Sequence, residues 1–306
     1  MVSDKSQENN SSEAGMTIDA IARTRRFHRA VTSEVGALDS SFLGRGRPLG
    51  PARVLHAIGN GVSDVAEIRA HLKLDSGLMS RLLRGLEDEG LVTVTASEND
   101  ARRRSAALTP AGEVEFAEYE ALSDQQAGAI LSRHPHPEAL LQAMDLVATA
   151  LGFDRTAIQR VPPSDPRAQQ CLATYYGELA HRFSGGFDVN LSADPEARDM
   201  EPPRGAFLLA VLDGMAIGCA GLKGTDKGYA EVKRVWVAPS ARRMGLAGLL
   251  MRAIEDEARG LGIGTLRLDT NSALPEAVRF YRKSGWTEIP RFNDDPYPDV
   301  FFEKHL

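Results

Sequence analysis

At Gly152 the period of the hydrophobic pattern changes, and the two sides of that change call for different layer architectures. Before it, apolar residues recur at helical spacing through a series of helices interrupted by one hairpin. After it, short strand-like runs alternate with helices. A chain of 306 residues at one domain per roughly 100–200 residues is expected to form two domains, and the pattern divides them as 16–152 and 153–306, with 1–15 read as a disordered tail. With 42% hydrophobic and 25% charged residues, each half has the makings of a packed core, and a rod or a wholly disordered chain is excluded. Apolar runs such as Phe207–Leu212 fall far short of the ~20 residues that cross a bilayer, and the opening MVSDKSQENNSSEAG has no apolar stretch of the kind that directs secretion. Two cysteines, Cys171 and Cys219, both in apolar patterns, assemble neither a disulfide framework nor a Cys-based metal site, so a metal-free protein of a reducing cytoplasm, without membrane attachment, is expected. The first half carries 16 Lys and Arg against 21 Asp and Glu, so any nucleic-acid contact must rest on local placement of arginines.

Thr17 to about Ala37 reads as a long helix. A Gly/Pro-rich break follows, then a helix over Pro51–Ile58, a short one capped by Ser63 and ending near Leu72, and another from Gly77 to Glu89 stopped by Gly90. Leu91–Thr95 and Ser105–Leu108 alternate as strands about the polar tip Glu98–Arg104, and Thr109-Pro110 opens a long helix to about Leu131, with a last helix from Pro137 to Leu151. In the second half a helix near Pro166–Phe183 precedes strands Ala206–Leu212 and Met215–Lys223 about Asp213-Gly214, a strong hairpin signal. Strand Glu231–Val237, helix Ser240–Gly260, strand Thr265–Asp269, helix Leu274–Ser284 and short strands Trp286–Ile289 and Val300–Glu303 complete the order.

Helix, short helix, helix and a hairpin with a cationic tip is the order of a mainly-α winged helix-turn-helix. The run Ser76-Gly-Leu-Met-Ser80-Arg81-Leu-Leu-Arg84-Gly, with Asp100-Ala-Arg102-Arg103-Arg104 and Leu108-Thr-Pro-Ala-Gly112 after it, resembles the recognition helix and wing of the MarR family, and the resemblance extends over about Thr17–Leu151. It implies a homodimer held by the long flanking helices and bound to a double-stranded DNA operator. Ser76, Ser80, Arg81 and Arg84 would meet base edges and phosphates in the major groove, and Arg102, Arg103 and Arg104 the minor groove or backbone.

In the second half, Glu231 to Val237 leads through a short turn into Arg242-Arg243-Met244-Gly245-Leu246-Ala247, which resembles the anion-binding motif of the GNAT acyltransferases. Asn271 and Ala277-Val-Arg-Phe-Tyr281 follow at the spacing of that family's second motif. The physical logic of the first motif is a helix N-terminus whose amides receive a pyrophosphate, with small residues leaving room for it. The resemblance implies an α+β fold on a central, mostly antiparallel, splayed sheet, and acetyl-CoA as co-substrate. Val235, Trp236 and Val237 would flank the pantetheine arm, Arg242 to Ala247 hold the pyrophosphate, and Asn271 and Ala277 border the arm from the other side. It further implies a thioester carbonyl polarised by the Val235 amide, Glu231 as general base and Tyr281 as the acid for the departing thiolate. Arg182 could clamp a carboxylate and Asp294 or Asp295 an ammonium on the acceptor, a small amine; the same residues also fit a surface arginine and a turn.

Three readings follow. The first is a regulator that is also an N-acetyltransferase. The second is a regulator whose GNAT domain only senses acyl-CoA, against which Glu231, Asn271 and Tyr281 argue. The third is an acetyltransferase whose winged helix serves only dimerisation.

Overall fold

A computed structural model describes residues 18–97, 100–191 and 198–306 and divides the chain into two compact units, Met1–Pro135 and His136–Leu306. The expected tail 1–15 lies outside the described residues.

In the first unit α1 (Ile18–Glu34) is followed by α2 (Leu49–Gly59), α3 (Val65–His71) and α4 (Ser76–Asp88), then strands β1 (Val92–Ser97) and β2 (Asp100–Leu108) and helix α5 (Pro110–Ser132). Side-chain caps start three of these helices by accepting otherwise orphaned backbone N–H groups. Asp64 accepts from Ala66 and Glu67, Asp75 from Leu78, and Thr109 from Gly112. The cap of α3 is thus Asp64, one residue beyond the expected Ser63, whose carbonyl instead accepts from Ala106 and fastens the wing to the helices. Val54, Leu55, Ile68, Met79, Leu83 and Leu86 form the core, each large side chain contributing about 1.5–3 kcal/mol on burial. Arg47 donates to Glu89 at 2.5 Å and to Glu115 at 2.7 Å, and Arg45 to Glu115 at 2.5 Å, so the segment before α2 is tied to the end of α4 and to α5. Hydrogen bonding to Arg45 and then Arg47 holds the Glu115 carboxyl below the usual range despite burial.

The second unit begins with α6 (Pro137–Gly152), β3 (Ala157–Val161) and α7 (Pro166–Arg182), continues through β4 (Ala206–Leu212), β5 (Met215–Gly224) and β6 (Ala230–Val237), and ends with α8 (Leu246–Gly260), β7 (Thr265–Thr270), α9 (Pro275–Lys283), β8 (Thr287–Ile289) and β9 (Val300–His305). Its sheet runs β3-β4-β5-β6-β7-β9-β8, antiparallel everywhere except between β6 and β7. Leu246, Leu250, Ile254 and Val278 of α8 and α9 pack on one face, and Ala168, Cys171 and Leu172 of α7 on the other.

Three features depart from the sequence reading. The division falls between Pro135 and His136 rather than at Gly152, because α6 packs within the second unit: Thr149 Oγ1 lies 3.1 Å from Ser240 Oγ, and Gly152 sits against Leu212. Strand β3 was not expected; as a half-exposed edge strand, Ala-Ile-Gln-Arg-Val carries no alternation to betray it. The helix expected from Ser240 starts at Leu246, after a 3-10 turn over Pro239–Ala241 and a loop.

Candidate functional site

The cavity that bears on chemistry opens where β6 and β7 part. Their pairing runs Ala230↔Leu266, Glu231↔Arg267, Val232↔Leu268 and ends there, although both strands continue. On the other edge of β6, Cys219 pairs with Trp236 and Gly221 with Lys233, so Arg234 and Val235 together oppose Ala220 in a bulge, with Arg234 at φ +57°. Val235 has no ladder partner on either side among the described residues. The gap is lined from both faces of the sheet: by Val235, Ala277 and Tyr281 on one side and by Tyr175 and Tyr176 of α7 on the other.

Tyr281 is buried, its ring 6.1 Å from that of Trp286 and 5.7 Å from that of Phe302. Burial, reinforced by the charge of Asp269, pushes its phenol up, so the hydroxyl keeps its proton. Glu231 is buried too and lies 3.4 Å from the Lys233 ammonium. It opens on a neighbouring polar cavity shared with Asp294, while Asp295 borders both cavities. Lys233 in turn holds Asp269 at 2.6 Å, and Asn293 donates to the same Asp269 oxygen at 2.6 Å. Burial alone would lower the Lys233 ammonium; the charges of Asp269 and Glu231 raise it instead.

At the head of α8, Arg243 and Gly245 adopt φ +64° and +88°. A Cβ on Gly245 would meet nothing within 4 Å, and α8 has no side-chain cap, so its first-turn amides are left without intrahelical acceptors. A cradle of this kind fits the pyrophosphate of a coenzyme A thioester, with Arg243, Met244, Gly245, Leu246 and Ala247 as its rim. Arg242 has a different engagement: it donates to the Val237 carbonyl at 3.1 Å and to Glu178 at 2.5 Å, and Trp236 donates to the same Glu178 oxygen at 3.0 Å. Both therefore brace β6 against α7. Asn271 borders the cavity, but its amide donates to the Tyr297 carbonyl at 2.6 Å and its oxygen accepts from Ala273 at 2.8 Å.

Arg182 is occupied by Glu276, Glu178 and the Ala273 carbonyl, and it is not among the residues lining the cavity; its neighbour Phe183 is. Asp269, Tyr175, Tyr176 and Phe187 were not singled out by sequence. The adjacent tyrosines of α7 were a visible signal, whereas the Lys233–Asp269 pair depends on how β6 and β7 are placed side by side.

In the first unit, Ser76, Arg81 and Arg84 are exposed on α4 and Ser80 is half-buried, with Met79, Leu83 and Leu86 turned to the core. Arg103 and Arg104 are exposed on β2, Arg103 pairing with Asp64 at 2.8 Å; the side chain of Arg102 lies outside the described residues.

Strands that part, with an uncapped helix following them in the chain, are the features expected of an acyltransferase that binds coenzyme A, although none of Arg242 to Ala247 is among the residues lining the gap. The chain belongs to the GNAT acetyltransferase family: the model of the Acetyltransferase (GNAT) family matches residues 173–286, and that of the MarR family matches residues 46–103. The second unit is thus an acetyl-CoA-dependent N-acetyltransferase domain, joined to a MarR family domain. Over 141 residues the chain is 36% identical to the IAA acetyltransferase of Azospirillum brasilense, covering 44% of this chain and 86% of that protein. It is 33% identical to an uncharacterized N-acetyltransferase of Schizosaccharomyces pombe, covering 34% of this chain and 66% of that one. A GNAT acetyltransferase structure from Staphylococcus aureus superposes with a TM-score of 0.43 at 19% identity, over 49% of this chain and 99% of that one. Among the described residues no helix is long and apolar enough to cross a membrane.

Proposed function

We propose that the chain is a dimeric DNA-binding regulator that acetylates a small amine. The observation that carries the catalytic half is the cavity between β6 and β7, where Val235, which lacks a register partner on either neighbouring strand, and the protonated Tyr281 border one space. Bound acetyl-CoA supplies an activated acetyl group there. The amine enters as an ammonium and gives its proton through water to Glu231, beyond the Lys233–Asp269 pair. Its nitrogen lone pair then forms the C–N bond to the carbonyl carbon while the Val235 N–H donates to the carbonyl oxygen. As the C–S bond breaks, the thiolate takes the Tyr281 proton, the second proton of the amine nitrogen leaves through solvent to give the neutral amide, and solvent reprotonates Tyr281 and accepts the proton held by Glu231.

Isotopically labelled acetyl-CoA incubated with an amine library tests this reading. Label on an amine supports it; binding of acetyl-CoA with label on no amine leaves a sensor instead. The loop geometry adds a second expectation. Gly245→Ala places a side chain at φ +88°, a region that costs an L residue roughly 1–2 kcal/mol, so KM for acetyl-CoA rises about tenfold. An unchanged KM in steady-state kinetics would remove Gly245 from the cradle.

For the regulatory half, the exposed Arg81 and Arg84 beside Ser76 and Ser80 support major-groove contact. Exposed Ile21, Phe27 and Val31 on α1 and Leu141, Met144 and Leu146 on α6 support a homodimer, since a second copy would cover them. Arg84→Ala is expected to weaken binding to the chain's own upstream DNA about tenfold or more, read by gel shift. Retention of wild-type affinity in the double variant Arg81→Ala, Arg84→Ala would assign the winged helix to dimerisation alone.

A further inference from the structure

Part of the catalytic cavity is walled by aromatic rings. Phe187 stands at the centre, its centroid 5.5 Å from that of Tyr176, 6.1 Å from Phe183 and 4.7 Å from Tyr297. Phe183 and Tyr297 close the group at 6.1 Å. All four line the cavity. The wall is held in place: the Tyr297 hydroxyl accepts from the Asp188 amide at 2.8 Å and donates to the Asp188 carbonyl at 3.2 Å, tying the segment after α7 to the loop before β9. Ring centroids at these separations and tilts are those at which a further ring stacks or meets an edge favourably.

Aromatic walls also attract cations, so the charge around them decides what they receive. Arg234 already stands 5.9 Å from the Tyr176 centroid and lines the same cavity. A second cation in the box would meet like charge. About Lys233 the balance is reversed. Glu231, Asp269 and Asp295 surround the single ammonium of Lys233, and both Asp269 and Asp295 border the cavity. An ammonium is favoured there and an uncharged ring beside the aromatic wall.

We propose that the acceptor is an aromatic primary amine, an aryl ring on a short aliphatic arm, whose ring occupies the box of Tyr176, Phe183, Phe187 and Tyr297 while its ammonium is drawn toward Asp269 and Asp295. This rests on the reading of the second unit as an acetyltransferase for small amines and adds the class of amine.

The test compares phenethylamine with butylamine and with 1,4-diaminobutane as acceptors, using labelled acetyl-CoA and the full chain. The expected kcat/KM for phenethylamine exceeds that of either aliphatic amine by about tenfold or more, the equivalent of two favourable ring contacts. In Phe187→Ala the ratio of phenethylamine to butylamine falls toward one, and Phe187→Leu, which keeps bulk without a ring, falls partway. Because a ratio of specificity constants is independent of how much enzyme is folded, partial misfolding does not mimic the result. An aliphatic amine equal to or better than phenethylamine in the wild type, or a ratio unmoved in Phe187→Ala, overturns the aromatic assignment while leaving amine acetylation standing. Transfer to none of the three while acetyl-CoA binds overturns both.

Discussion

Tyr281→Phe lowers kcat for acetyl transfer by about a hundredfold or more, the scale of a lost general acid, and leaves acetyl-CoA binding nearly unchanged. The direction follows from the residue's surroundings. Its ring is packed against Phe280, Trp286 and Phe302 and Phe preserves all of that, so the substitution removes the hydroxyl and little else. Burial beside Asp269 keeps the phenol protonated, which makes it a competent donor to a thiolate formed in the gap between β6 and β7. Steady-state kinetics with a calorimetric Kd for acetyl-CoA separates the roles. A loss confined to kcat marks a proton donor, a loss confined to KM marks packing, and a kcat within threefold of wild type would strip Tyr281 of the acid role.

Where a candidate residue sits on a periodic element, its placement was legible in the sequence. The exposed face of α4 could be read because helical spacing separates Ser76, Ser80, Arg81 and Arg84 from Met79, Leu83 and Leu86. The turn from β6 into α8 could be read because an anion cradle needs small residues at fixed offsets from a helix start. Loops offer no such period. Within the two segments proposed for the acceptor, Phe183 rather than its neighbour Arg182 lines the cavity, and of Asp294 and Asp295 only the second does. A loop that shifts by one residue reverses which neighbour points inward, and no pattern in the chain records the shift. Arg242 illustrates a related limit. Its spacing matches a phosphate ligand, but Glu178, 64 residues earlier on α7, supplies a half-buried partner that spacing cannot reveal. The allegiance of α6 was hidden for the same reason: its amphipathic pattern shows that it buries one side, while the partner that side meets, Ser240 and its neighbours, lies some ninety residues on.

Gly112→Ala is the variant in which local propensity and tertiary structure disagree most. Gly112 lies in the first turn of α5, and alanine is the better helix former by about 0.8–1 kcal/mol, so propensity alone predicts a gain. A Cβ at this position would stand 1.9 Å from the Leu91 carbonyl oxygen, however, and that oxygen cannot retreat cheaply: it accepts from the Thr109 amide at 3.0 Å, while Thr109 also bonds the Gly90 carbonyl and caps α5. The closing Leu-Thr-x-x-Gly of the wing is thus a steric requirement, the strand leaving α4 crossing the start of α5 at backbone contact. Relief requires the helix start to move off the hairpin, at about 3 kcal/mol or more, the upper end of overpacking costs, which lowers the Tm of the first unit by roughly 10 °C. Gly128→Ala in the same helix is the control. Its Cβ meets nothing within 4 Å, so the propensity gain survives and stability holds or rises. Thermal unfolding of the two variants side by side decides the matter, because equal shifts would mean that the approach of Leu91 does not govern the start of α5.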